Sequence, residues 1–162
     1  MAKNDNNQLI TCITLDSWAL LAWLQGEDPG LIVKNLIALS NGGAGKTKEL
    51  SSWLGETIDP PQLYLNVINL GEIFYILGRR RGEKAAQDII NRIQLSTLEI
   101  IPVTTDLVIK AAKIKIKHPI AYADAFAVAT AEVTGSILFT GDPELKDIKD
   151  INDVKVFWLG AK

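Results

Sequence analysis

The 162-residue chain predicts an α/β fold built on a mostly parallel sheet. Two observations carry this. Short apolar runs alternate with helical stretches along the chain, the pattern of strand–helix units. The runs are also unalternated, Ser136-Ile137-Leu138-Phe139-Thr140 being the clearest, as suits strands covered on both faces. A third observation points to the position of a site. Asp16 directly follows a strand candidate, Glu72 lies one turn into the helix after another, Asp124 opens an Ala-rich helix, and Asp142 sits just past a strand end. In an open parallel sheet the strand C-termini share one edge, where ligands bind. These acids are therefore expected to converge.

The elements follow in order. Residues 1–8 are polar and are expected to fray, and residues 10–15 form the first strand candidate. A helix over 17–24 ends at Gly26, and Asp28-Pro29 starts a second helix that runs to about 39. Residues 41–46 are a Gly-rich break, 48–54 suggest a short helix, and Asp59-Pro60-Pro61 returns the chain to a strand over 63–68. The next helix, over 69–77, is expected to stop at Gly78, leaving Arg79-Arg80-Arg81-Gly82 as a basic turn. A helix over 83–94 buries Ala86, Ile89, Ile90 and Ile93. Residues 98–103 read as a strand that Pro102 confines to an edge, and Thr104 or Thr105 caps a helix to about 115. Small side chains let the helix over 123–133 lie close to the sheet. The strand over 136–140 is stopped by Gly141-Asp142-Pro143, and a last strand spans 154–159.

Length and composition suit one domain over 1–162 with a real core. A net charge of −2 argues against an indiscriminate basic nucleic-acid binder. The single cysteine, Cys12, is expected in the core, so no intrachain disulfide forms and a reducing cytoplasm is the expected compartment. No leader is evident, and no apolar run approaches a membrane span.

Four motifs carry a family resemblance: Leu15-Asp16-Ser17, Asn69-Leu70-Gly71-Glu72, Tyr122-Ala123-Asp124-Ala125 and Thr140-Gly141-Asp142-Pro143. Their order and their strand and helix context resemble a PIN-domain ribonuclease of the kind found as the VapC toxin in toxin–antitoxin pairs. The resemblance implies a three-layer α/β/α sandwich with five strands in the order 3-2-1-4-5. It implies metal-dependent cleavage of RNA by Asp16, Glu72, Asp124 and Asp142, an antitoxin partner and a homodimer. Relative to a compact PIN domain, residues 41–60 look like a loop insertion, expected to be peripheral to the chemistry.

Each acid also has an ordinary explanation, as a helix cap, a dipole partner or a turn residue. Together they need a further one, because two bare carboxylates about 4 Å apart repel by about 4 kcal/mol at an effective dielectric of 20. Hard cations relieve that repulsion, and oxygen ligation without His or Cys favours Mg²⁺ or Mn²⁺. Ser17 and Thr140 adjoin two of the acids and are candidates to orient them or a water.

The remaining motifs are weaker. Gly43-Ala44-Gly45-Lys46-Thr47 lacks the first glycine of a phosphate-binding loop, and His118 has no companion nucleophile motif. Arg79, Arg80 and Arg81, with Lys113, Lys115 and Lys117, read as solvated surface or as RNA contacts. Trp18 and Trp23 suit the core or a partner surface. Two other functions stay open: a non-catalytic PIN scaffold, and a Mg²⁺-binding phosphoacceptor receiver, for which the phosphorylatable Asp and distal Lys are not evident.

Overall fold

The computed structural model describes residues 11–43, 50, 60–148 and 150–160. The expected tail at 1–8, most of the insertion and, apart from Leu50, the helix over 48–54 lie outside the described residues. β1 (Cys12–Leu15) leads into α1 (Ser17–Leu24) and α2 (Gly30–Ser40). β2 (Gln62–Asn66) is followed by α3 (Val67–Arg81) and α4 (Glu83–Gln94). β3 (Glu99–Ile101), α5 (Thr105–Lys117), α6 (Tyr122–Thr134) and β4 (Ile137–Thr140) come next. A 3-10 turn (Pro143–Leu145) precedes the hairpin of β5 (Asp150–Ile151) and β6 (Val154–Trp158).

The sheet order is β3-β2-β1-β4-β6-β5, with every pairing parallel except β5 with β6. The expected fifth strand is β6, beside β4, so the expected order holds for the parallel strands. The sixth strand, β5, is an antiparallel addition of two residues. Asn152 and Asp153, both at positive φ (53° and 66°), form the tight turn of that hairpin. β3 takes the edge, as Pro102 requires, and ends before that proline.

Two corrections have local causes. The strand expected over 63–68 ends at Asn66, whose side chain accepts from the Ile68 N–H at 2.8 Å and starts α3 early. Gly78 does not stop α3. Its φ is not positive, and the helix continues through Arg79, Arg80 and Arg81 to Gly82, at φ 88°. The three arginines thus form a last helical turn, where cations are favoured, and not a basic turn. Cys12, expected in the core, is half-buried, because pairing with β4 begins only at Ile13. Trp18 and Trp23 are partly buried against the core.

Helices cover both faces of the sheet. Ile13, Leu15, Leu63, Leu65 and Phe139 pack with residues of α1, α2, α3 and α4. Leu138, Ile151 and Val154 pack with α5 and α6 on the other side. In α6, Ala125, Phe126, Ala127, Val128, Ala129 and Ala131 are all buried, so this helix has little free face. Buried hydroxyls and amides tie the layers: Asn66 Nδ2 donates to Thr130 Oγ1 at 3.0 Å, and the Thr14 and Ser136 hydroxyls lie 2.6 Å apart.

Gly30 sets the approach of α2 to α1. A Cβ there would lie 2.4 Å from the Ala22 carbonyl atoms and the Trp23 Cα. These are backbone atoms, so the two helices would have to separate. Gly30→Ala is expected to destabilise the protein by about 1–3 kcal/mol, although alanine is the better helix former. Urea unfolding measures this, and an unchanged midpoint would contradict the close packing.

Candidate metal centre

The parallel register builds the site. Leu15 pairs with Phe139, so Asp16 and Thr140 emerge side by side where β1 and β4 end. The Thr140 hydroxyl donates to Asp16 Oδ2 and accepts the Asp142 N–H at 3.0 Å. Asp16 Oδ1 accepts the Ala19 N–H at 2.8 Å, the helix cap expected of an aspartate after a strand. Asp16 is fully buried. Gly141 keeps the strand end low: a Cβ there would fall 2.2 Å from the Trp18 ring.

Glu72 reaches the same edge from α3. The Ser17 hydroxyl donates to its Oε2, so Ser17 serves the acid rather than capping α1. The Tyr75 hydroxyl lies 3.4 Å from Oε1. One turn earlier, Asn69 Nδ2 donates to the Ala123 carbonyl at 3.2 Å, tying α3 to the start of α6 beside Asp124. Asn69 is fully buried, and its Oδ1 is the one buried side-chain polar atom among the described residues without a hydrogen-bond partner.

Asp124 lies in the first turn of α6 and is buried. Asp142 caps the 3-10 turn, its Oδ1 accepting the Glu144 N–H at 2.9 Å. Glu144 Oε2 in turn accepts the Ala121 N–H at 2.6 Å, at the head of α6. Carboxylate oxygens of Asp124, Asp142 and Glu144 thereby come within 4.8 Å of one another. Asp16 and Glu72 stand close enough to act on Asp124 electrostatically but lie outside that triad. Glu144 did not stand out in the sequence. It accepts one of the helix-start N–H groups that have no partner within α6, a contact that no local pattern around Glu144 announces.

The arrangement is electrostatically poised. Burial is the main cause that pushes the Asp16 carboxyl up to about 7. The bonds from Thr140 and Ala19 oppose the rise, while Asp142 and Glu72 add to it. Asp124 is pushed up to about 8, first by burial and then by Asp142, Asp16, Glu144 and Glu72. No Lys or Arg forms a salt bridge with these acids among the described residues, where the one salt bridge joins Lys110 to Glu132. Arg81 donates to the Leu24 carbonyl at 3.0 Å, Arg79 lies over the Tyr75 ring, and Arg80 is exposed. Lys115 donates to the Ile120 carbonyl at 2.7 Å, while Lys113 and Lys117 are exposed. An all-oxygen donor set and converging acids fit a hard divalent cation.

The raised carboxyls set a pH dependence. Between about pH 4 and 8 the metal-free folded state holds more protons at Asp16 and Asp124 than the unfolded chain, whose aspartates titrate near about 3.9. Their contribution to stability is complete below the unfolded value and is lost as pH rises through about 7 and about 8. Urea midpoints of the metal-free protein are expected to fall across this window relative to those of Asp124→Asn. Parallel profiles for the two proteins would contradict a raised Asp124.

Residues 13–151 match the PIN domain family. The sequence has no match among curated proteins. Its fold is similar to a toxin–antitoxin complex from Klebsiella pneumoniae, with TM-score 0.60 and 18% identity over 93% of this chain and 99% of that one. It is similar to DNA-bound VapBC from Salmonella typhimurium, with TM-score 0.63 and 13% identity over 94% and 99% of the two chains. A third likeness is to the sarcin–ricin-loop-cleaving VapC toxin of Mycobacterium tuberculosis, with TM-score 0.55 and 22% identity over 88% and 98%. No helix among the described residues is long and apolar enough to cross a membrane. With strand order, edge-facing acids and the match over 13–151 in agreement, the chain belongs to the PIN domain family.

Proposed function

We propose that this protein is a Mg²⁺- or Mn²⁺-dependent endoribonuclease acting in the cytoplasm as the toxin of a type II toxin–antitoxin pair. The observation that carries the reading is the convergence of the Asp124, Asp142 and Glu144 carboxylates within 4.8 Å at the C-terminal edge of the sheet, with no cationic side chain among the described residues paired to them. PIN family membership supports it, and favours it over a phosphoacceptor receiver. The VapBC neighbours support an antitoxin partner, and a homodimer belongs to the same reading.

In this reading Asp124, Asp142 and Glu144 would hold the cation, with Asp16 beside them at the strand end. Thr140 fixes the Asp16 carboxylate and the Asp142 backbone together. Ser17 and Tyr75 orient Glu72, which positions a water for in-line attack. A divalent cation bound there would supply Lewis acidity to the phosphodiester and lower the pKa of that water. No histidine base is then required, and His118, at the end of α5, takes no part. Arg79, Arg80, Arg81, Lys115 and Lys117 remain candidates for RNA contact.

Incubation with structured RNA tests the reading. Cleavage should need Mg²⁺ or Mn²⁺ and stop in EDTA. Undiminished cleavage in EDTA would rule the mechanism out. Asp16→Asn, Glu72→Gln, Asp124→Asn and Asp142→Asn should each lower turnover by at least about tenfold, about 1.4 kcal/mol in the barrier.

Thermal melts supply a second test. Without metal, Asp124→Asn should melt at or above wild type, because a buried repulsive charge is gone. Excess Mn²⁺ should stabilise wild type by about 2.7 kcal/mol at a hundredfold excess over Kd. Asp124→Asn and Glu144→Gln should gain much less. An equal gain in all three proteins would remove Asp124 and Glu144 from the metal site.

A further inference from the structure

α3 presents an outward stripe at helical spacing, made of Ile68, Glu72, Tyr75 and Arg79. It begins at the acidic edge, and at 1.5 Å per residue Arg79 lies about 10 Å beyond Glu72 along the axis. Tyr75 is 46% exposed, with its hydroxyl on Glu72 and the Arg79 guanidinium 5.2 Å from its ring centre. Arg79 is thus the cation on this stripe; Arg80 and Arg81 complete the last turn off it, Arg81 donating to the Leu24 carbonyl.

Gly71 lies on the same side, directly before Glu72. A Cβ there would meet nothing within 4 Å, and its φ is not positive. Neither packing nor backbone conformation therefore requires glycine, although glycine weakens a helix interior relative to alanine. The protein accepts that loss where the helix surface is bare next to a candidate catalytic acid. A bare helix surface lets a ligand approach the backbone closely.

We propose that this face of α3 is a subsite for single-stranded RNA beside the scissile phosphate. One unpaired base stacks on Tyr75, the strand passes close over Gly71, and Arg79 meets the phosphate that leads away. Stacking suits this place because every base offers a flat face, so an exposed ring binds single strands with little regard to sequence. Arg79 holds the ring from one side and supplies charge complementary to the backbone. The subsite rests on the ribonuclease reading, since it places the base relative to the carboxylates that act on the phosphate.

Fluorescence anisotropy of the full chain in EDTA tests it, with a short labelled unstructured RNA and an abasic analogue of the same length as probes. Wild type should prefer the base-containing RNA by about tenfold, within the usual range for one stacked base. Tyr75→Ala should abolish the preference and Tyr75→Phe should keep it, because stacking needs the ring and not the hydroxyl. Gly71→Leu should raise the Tm yet weaken binding of the base-containing RNA, a combination that a merely structural glycine would not produce. An undiminished preference in Tyr75→Ala would overturn the subsite. So would equal losses in Tyr75→Ala and Tyr75→Phe, which would assign the residue to Glu72 alone. Unchanged RNA affinity in Gly71→Leu would overturn it too, and would assign the bare surface to a protein partner. A wild type that prefers the base-containing RNA through Tyr75 but cleaves no RNA with Mn²⁺ would sink the ribonuclease reading and uphold the subsite.

Discussion

Burying carboxylates against one another is unfavourable, and this fold does so where its two central strands end. Asp16 is fully buried and Asp124 nearly so; burial raises the proton affinity of both, and neighbouring carboxylates raise it further, Asp142 and Glu72 at Asp16 and Asp142, Asp16, Glu144 and Glu72 at Asp124. The rest of the edge is arranged to make that tolerable. Thr140 joins Asp16 to the backbone of Asp142, Ser17 holds Glu72, and Glu144 is held by the backbone of Ala121. Every acid except Asp124 thus has a hydrogen bond that fixes its carboxylate. Fixed carboxylates cannot relax apart, so they remain set for a cation.

The scaffold supplies that rigidity through ordinary means. Parallel pairing of β1 with β2 and β4 brings the strand ends to one level. The Ala-rich α6 lies close to the sheet and delivers Asp124 to that level, while Asn69 clamps α3 onto the start of α6. Glycines set the close approaches: Gly30 between α1 and α2, and Gly141 under the Trp18 ring. Positioning and packing are therefore one problem here, and residues that never touch a ligand fix the distances between those that would.

Much of this was legible in the sequence because strand ends and acids fall next to each other in the chain. Asp16 after an apolar run and Asp142 after another are local signals, and the parallel-sheet rule converts them into proximity. The parallel strand order agreed with the family resemblance, and Pro102 correctly marked an edge strand. What failed depended on contacts between distant segments. Glu144 reads as a surface turn residue until the bare N–H of Ala121 is seen to need it. The two-residue β5 is too short for any periodicity, leaving only Asn152-Asp153 as a turn signal.

The most direct measurement couples metal to protons. If Asp16 and Asp124 carry protons near neutral pH because they are buried together, a cation that binds these acids must displace those protons. Titration calorimetry of the metal-free protein with Mn²⁺, repeated at pH 7 in buffers of different ionisation enthalpy, counts the protons released. Net proton release that shrinks as the pH is raised to 9 is the predicted result. Mn²⁺ binding with no proton release at pH 7, or no binding at all, would contradict a metal centre built from these carboxylates.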